Sequence, residues 1–540
     1  MPLGDVQPGM RCTGLTVVRG TAITSFDVEV LDVIDRERGR DAARILVRVW
    51  GPAVDATGLG PGFSGSPILC TDADGVARNI GAVSETIGEY GGKTALATPI
   101  EAILAQPVQP PGAGPRSTAV VGARSLAGPL TIAGLRPSVA AMFTRAARKA
   151  GRPLITSAAA PRAAFPPQPL VPGAAVSVGL TSGDIYVGAI GTVTYADDVN
   201  VWLFGHGIDD VGRRSVFLQD ASISAVVNNP IAMPDVSTYK LGSAGNDVGT
   251  VVTDGPKAIA GLLGAPPPHY GLRVSARDLD TGRERVSFTR IADESDIGRP
   301  AGISPLGASA TAAVAEIAAE VLGGAPARQS GEMCVAVTLR ELRTPLRFCN
   351  TYAIDGTVTN AFAGAAAQDM AAAIAVIESY RFGTLHPSAI DVGMRVRRGL
   401  RQAFIVGVKG PGRARRGRRI AIRLKLRRTG TGARSFRTIH VRLPGDLEPG
   451  TRTIRLAGTA ADIGSNPEEE GDVSVLFDEK PGAEQDPGSE SIDAVRSEFE
   501  DIGRYDGIVA SIGDRPETEV YRDPTLRITG EVRTRVRITR

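Results

Sequence analysis

Ser64 stands in the stretch Gly-Pro-Gly-Phe-Ser-Gly-Ser-Pro, residues 60–67, and His206 in Leu-Phe-Gly-His-Gly, residues 203–207. Glycine enters backbone regions closed to other residues and Pro-Gly marks a tight turn, so Ser64 sits at a bend with Gly62 and Gly65 leaving room around its hydroxyl. Acyl transfer needs that openness, because the nucleophilic oxygen must meet a carbonyl while backbone N–H groups receive the developing oxyanion. It also needs a base, and the chain has four histidines. His269 follows Ala-Pro-Pro-Pro in a loop, His386 precedes a proline at a domain junction, and His440 lies in an alternating strand. His206 ends an apolar strand and is followed by a glycine, a place from which an imidazole reaches the rim of a sheet; it is the best candidate base. The competing reading of the same residues is structural, with Ser64 a polar turn and His206 a strand-end histidine.

The segments that must position these two residues read as strands. Within residues 1–107, GLTVV, FDVEVLDVI and ARILVRVW precede the serine turn, PILC and NIGAVSE follow it, and TPIEAILAQ closes the region as a short helix with Thr98 as its N-cap and Pro99 in its first turn. Residues 108–171 form a Pro/Ala-rich connection containing one helix, PSVAAMFTRAARKA. Residues 172–268 are again strand-rich, with GAIGTVTYADDVNVWLFGHG a hairpin whose second strand ends at His206. An α+β region with two Ala-rich helices follows at 269–388, then an Arg-rich, β-sandwich-like domain at 389–465, then an acidic loop and C-terminal segment at 466–540.

Composition narrows the function classes. A chain of 540 residues that is 42% hydrophobic and 22% charged builds several cores and is not disordered throughout. Aromatic residues make up only 5%, which argues against a base-stacking nucleic-acid surface. No apolar run reads as a transmembrane helix, and the start MPLGDVQPGM has no signal-peptide pattern. Cys12, Cys70, Cys334 and Cys349 allow three disulfide pairings, with free buried thiols as the alternative; Cys334 and Cys349 flank a hairpin, which leans towards an oxidising compartment. No Cys-x-x-Cys or His/Cys cluster suggests zinc, and the acidic tract lacks calcium-loop spacing, so neither a metal nor an organic cofactor is expected.

The nucleophile elbow of α/β-hydrolases reads Gly-x-Ser-x-Gly and leads into a helix. Here Ser66 occupies the fifth position and Pro67 opens a strand. The turn instead resembles the serine loop of a two-barrel, trypsin-like peptidase, in which the N–H groups of Gly62 and Ser64 form the oxyanion hole. PGFSGSPIL with IGAVSE and TPIEAIL, GLTVVRGTAITSFDVEVLDVI, GAIGTVTYADDVNVWLFGHGIDD and VGTVVTDGPKAIAGLLG together resemble segments of the sporulation factor IVB (SpoIVB) serine peptidase family. The resemblance covers about residues 5–105 and 172–265, in an order that places the serine segment before the histidine segment.

That resemblance implies a mainly β protein with a trypsin-like double β-barrel in circularly permuted order, the connection 108–171 spanning the two halves. It implies a serine endopeptidase with Ser64 as nucleophile, His206 as general base, and a protein or peptide substrate that includes the chain itself as a candidate. The family's aspartate, about fifteen residues before its serine, has no counterpart: Trp50 and Gly51 stand there, and Asp55 is in the wrong part of the loop. Asp210 matches a family acidic position and is the substitute candidate, Asp209 and Asp220 remain open, and a dyad with His206 oriented by a backbone carbonyl is the other arrangement. Phe63 replaces the family's methionine, and the family's PDZ segment is not evident. The family works outside the cytoplasm, so the cell envelope or exterior is expected. The alternative is a catalytically inactive envelope protein that binds a protein or an anionic polymer through its β domains.

Overall fold

The computed structural model describes residues 1–35, 42–88, 91–108, 123–125, 130–149, 154–157, 160–228, 238–297, 304–324, 326–356, 360–459, 489–502, 507–513, 515–523 and 525–540. The fold is mainly β. Strands β1 (Arg11–Thr16), β2 (Thr24–Ile34), β3 (Arg44–Trp50), β4 (Pro67–Thr71), β5 (Ala77–Ile87) and β6 (Thr94–Pro99) form the first unit. β4 pairs with both β1 and β5, so the order β4-β1-β2-β3-β6-β5 closes into a six-stranded barrel. Alternation sends Phe26, Val28 and Val30 of β2 and Ile45, Val47 and Val49 of β3 into its interior. Phe63, from the serine turn, is buried in the same core and anchors that turn to the barrel. Cys12 and Cys70 are register partners on β1 and β4 and are joined by a disulfide.

Helix α1 (Ile100–Leu104) follows β6. Thr98 is not its N-cap. Pro99 holds that position without a side-chain cap, and the Thr98 hydroxyl donates instead to the Gly205 carbonyl oxygen at 2.7 Å. Thr98 belongs to β6, and its hydroxyl satisfies a buried carbonyl on the second unit.

β7 (Ala123–Ser125) pairs with β5, while β8 (Leu130–Ala133), α2 (Pro137–Lys149) and β9 (Leu154–Ser157) lead into the second unit. Its strands are β10 (Ala175–Gly179), β12 (Tyr186–Ala196), β13 (Asn200–Leu203), β14 (Gly212–Asn228), β15 (Thr238–Gly255) and β16 (Ala258–Leu263), while the short β11 (Thr181–Gly183) between β10 and β12 joins the sheet of the next region. β10 pairs with both β12 and β14, so the order β10-β14-β15-β16-β13-β12 returns to its start. β13 ends at Leu203 and not at His206, because Phe204 (φ 67°) and Gly205 (φ 71°) both turn left-handed and carry the chain off the sheet. The β14–β15 hairpin extends past this unit and crosses the serine turn of the first barrel.

The α+β region comprises β17 (His269–Asp278), β18 (Glu284–Ala292), α3 (Pro305–Leu322), β19 (Arg328–Leu339), β20 (Leu346–Asp355), α4 (Ala361–Glu378) and β21 (Pro387–Arg398). Its sheet runs β11-β18-β17-β21-β19-β20, and the expected boundary at 388/389 therefore falls inside a central strand and moves to the end of β21. α3 and α4 are apolar nearly all round and long enough to cross a membrane, which the reading of the sequence did not anticipate; both lie mostly buried in the core formed with this sheet. Cys334 and Cys349 are register partners on β19 and β20 and form the second disulfide.

The C-terminal sandwich contains β22 (Gln402–Lys409), β23 (Arg413–Arg415), β24 (Arg419–Arg428), β25 (Arg434–Arg442), β26 (Gly450–Gly458), β27 (Gly507–Ile512), β28 (Thr518–Arg522), β29 (Arg527–Thr529) and β30 (Glu531–Thr539), with α5 (Ile492–Asp501) packed on β20. Sheets β25-β24-β22-β29 and β23-β30-β26-β27-β28 enclose one core. The end of the chain is thus half of the sandwich and not a separate segment from 466. The acidic tract, up to residue 488, lies outside the described residues.

Candidate active site

The serine turn is tied down by nearly all of its own peptide groups. Pro61 O accepts from Lys240 N at 2.9 Å, Gly62 O from Thr192 Oγ1 at 3.0 Å, and Phe63 O from Ser66 N at 3.0 Å and Ser66 Oγ at 2.6 Å. Ser64 O accepts from Thr192 N at 2.9 Å, Gly65 O from Thr194 Oγ1 at 2.9 Å, and Ser66 O from Val83 N at 3.0 Å. The amides of Phe63, Gly65 and Ser66 donate to Gly60, Val83 and Phe63 carbonyls. Among the described residues the amides of Gly62 and Ser64 have no acceptor. Two N–H groups two residues apart, flanking a serine and left free in an otherwise saturated turn, are suited to receive a developing oxyanion.

Gly65 is fixed by both conformation and space. Its φ is 87°, and a Cβ there would lie 2.0 Å from Thr192 O and 2.5 Å from Phe204 N. The turn therefore lies flush against β12 and against the residue that opens the histidine loop.

His206 is buried, and its Nδ1 lies 2.7 Å from the Gly207 carbonyl oxygen. A carbonyl only accepts, so Nδ1 carries the proton and Nε2 presents a lone pair. Burial drives the imidazole down to about 4, with the Gly207 carbonyl opposing and the Arg44 cation assisting. The ring is neutral through the physiological range and is a weaker base than a free imidazole. Ser64 is fully buried, and both Ser64 Oγ and His206 Nε2 lack hydrogen-bond partners, so the two are not bonded to each other in this resting arrangement. Each such group costs about 1–3 kcal/mol when left unsatisfied, so two of complementary chemistry, on abutting loops, call for an explanation.

The acidic candidates are placed as follows. Asp210 (φ 55°) packs against Gly207, where a Cβ would lie 2.2 Å from its carboxylate. Among the described residues no carboxylate hydrogen-bonds the His206 ring. Asp209 lies 3.8 Å from the Arg214 guanidinium. Asp220 accepts from Gln168 N and Asn246 N, tying the connection to β15. Asp55 is exposed on the loop after β3, 2.6 Å from Lys93. Asp254, which burial pushes up, accepts from Ile208 N at 2.7 Å and Asp209 N at 2.9 Å and so braces the turn beyond His206. His269 contacts Pro267 O, His386 pairs with Glu341, and His440 lies on the exposed face of β25.

No family model, no curated protein and no solved structure matches this chain.

Two groups at the site escaped the sequence reading. Arg44 is buried at the start of β3, pairs with Glu85 at 3.2 Å, and adds positive potential at His206. Lys240 is buried on β15 beneath the serine turn. Neither carries a sequence signal beyond a charge inside a strand. Glu332 lies beside Cys334 and Cys349, but the disulfide occupies both sulfurs, and this group is no metal site.

Proposed function

We propose that this chain is a serine endopeptidase of the sporulation factor IVB type, built on two β-barrels in circularly permuted order. The observation that carries the reading is the serine turn. Every carbonyl from Pro61 to Ser66 is engaged, while the amides of Gly62 and Ser64 and the hydroxyl of Ser64 stay unpaired beside the loop of His206. Ser64 Oγ attacks the substrate carbonyl carbon as its proton passes to His206 Nε2, and the oxyanion is received by the two free amides. The C–N bond then breaks with that proton going to the leaving amine, and water releases the acyl group by the same route. The Gly207 carbonyl, in the place a carboxylate takes in a triad, fixes the tautomer. Ser64 has no exposed surface, so a substrate must displace its cover first. The two disulfides favour an extracytoplasmic setting. The test is degradation of an unfolded protein such as casein by wild type and by Ser64→Ala; equal rates would remove Ser64 from the mechanism.

A second reading, a catalytically silent envelope protein, is favoured by the sandwich surface. Arg419 faces Arg442, Arg427 faces Arg434, and Lys409 faces Arg423 as direct cross-strand partners. Like charges placed opposite each other repel, and an anionic polymer laid across the face relieves that repulsion.

A further inference from the structure

We propose that Lys240 is a positioning residue of the oxyanion-binding turn, and that acyl transfer at Ser64 is fastest while its side chain is protonated. The inference rests on the peptidase reading and adds a residue and a control to it.

The peptide group is planar. A trans peptide points its N–H opposite to its C=O, so whatever holds the carbonyl aims the amide. The Gly62 amide shares a plane with the Pro61 carbonyl, and the backbone N–H of Lys240 holds that carbonyl at 2.9 Å. The Ser64 amide shares a plane with the Phe63 carbonyl, held by Ser66 Oγ at 2.6 Å. Ser66 Oγ also lies 3.1 Å from Thr16 Oγ1, to which the Lys240 ammonium donates at 2.6 Å. A second arm runs from Lys240 Nζ to Thr192 Oγ1 at 3.3 Å, and from that hydroxyl to Gly62 O at 3.0 Å. The Lys240 stem lies against Gly62, where a Cβ would come within 2.7 Å of it, and Nζ sits 4.5 Å from the Phe63 ring centroid. Lys240 thus holds the carbonyl that orients the Gly62 amide through its own backbone N–H, and its ammonium reaches the carbonyl that orients the Ser64 amide through Thr16 and Ser66, while the Thr192 arm steadies the Gly62 carbonyl between them.

A lysine without a carboxylate is an expensive way to fill this space. The groups facing the ammonium are Thr16 on β1, Thr192 on β12 and the Phe63 ring in the turn, with Ser66 behind Thr16; Val226 is its register partner on β14. None is ionisable, and burial alone lowers the lysine to about 7. When it is neutral it can still donate to both threonines, but those hydrogen bonds lose their charge assistance and the hold on the turn weakens. The other titrating group of the site is His206, whose lowered value sits on the acid side with Arg44 nearby.

The test is the pH dependence of labelling by a fluorophosphonate, in which the Ser64 Oγ–P bond forms, the P–F bond breaks, fluoride leaves and the proton goes to His206. Wild type should label fastest below the lysine titration and lose rate as pH rises through about 7. Lys240→Met, which keeps the stem and removes the charge, should label about ten- to a hundredfold more slowly and lack that alkaline fall. Thr16→Val, which keeps the lysine and cuts the route from its ammonium to the Phe63 carbonyl, should slow labelling and shrink the fall. The wild-type profile needs no variant to fold. Labelling that is flat or rising through neutral pH in wild type overturns the inference and leaves the peptidase reading intact. A rise through neutral pH that vanishes in Lys240→Met would make Lys240 the base and also overturn it. A wild type that never labels removes the peptidase reading itself.

Discussion

The Thr98 hydroxyl donates to the Gly205 carbonyl oxygen at 2.7 Å across 107 positions of sequence, so the barrel that carries Ser64 also holds the peptide immediately before His206. Thr98→Val should leave that buried carbonyl unpaired and cost about 1–3 kcal/mol in urea unfolding. Labelling of Ser64 should slow further than this stability loss explains, because His206 loses its hold.

Stability should rise with pH in two windows. His206 and Lys240 are cations driven towards neutrality by burial, from 6.5 to about 4 and from 10.5 to about 7. Between each pair of values the unfolded chain binds more protons than the folded one, so stability is full above the unfolded value and is lost as pH falls through the window. Urea unfolding at about pH 7 and about pH 9 should show wild type gaining stability at the higher pH. Lys240→Met should lack the gain and be the more stable protein at neutral pH, while being the less active one.

The Cys12–Cys70 bridge joins β1 to β4 at the seam where the first barrel closes, just beyond the serine turn. Replacing both cysteines by serine should cost about 4 kcal/mol on a chain-entropy estimate for a loop of this length. Differential scanning calorimetry of that variant, beside the Cys334/Cys349 double variant, should show the larger fall in Tm for the Cys12/Cys70 pair.

Gly65→Ala should be far more damaging than a methyl group suggests. It forces a left-handed alanine against Thr192 O and Phe204 N, where no flexible side chain can give way. The variant should lose all labelling and unfold at lower denaturant than wild type.

The basic sandwich face gives a separate check. Retention on a polyanion column should fall with Arg423→Glu and Arg427→Glu and should weaken steeply with salt, with labelling of Ser64 unchanged.

Much of the first barrel was legible because its alternation is strict and its turns are marked by Gly and Pro, and the serine turn announced itself by the same residues. Thr98 was misread because a threonine before Pro-Ile-Glu has the local chemistry of a cap, while its real acceptor lies in another strand system. Lys240 was invisible: in Thr-Tyr-Lys-Leu-Gly it reads as a solvated charge, and only the crossing of β15 over the turn buries it. The boundary at 389 failed because β21 alternates in the same Arg-rich manner as the sandwich strands that follow. The closing strands of the sandwich are separated from their partners by the acidic tract, and pairing across such a distance has no local signature.

The measurement that bears most directly on the central claim is fluorophosphonate labelling of the purified chain, read by intact mass and peptide mapping, for wild type, Ser64→Ala and His206→Ala. The account predicts a single adduct on Ser64 in wild type and none in either variant. A folded wild type that takes up no probe, or an adduct that persists in Ser64→Ala, would contradict it.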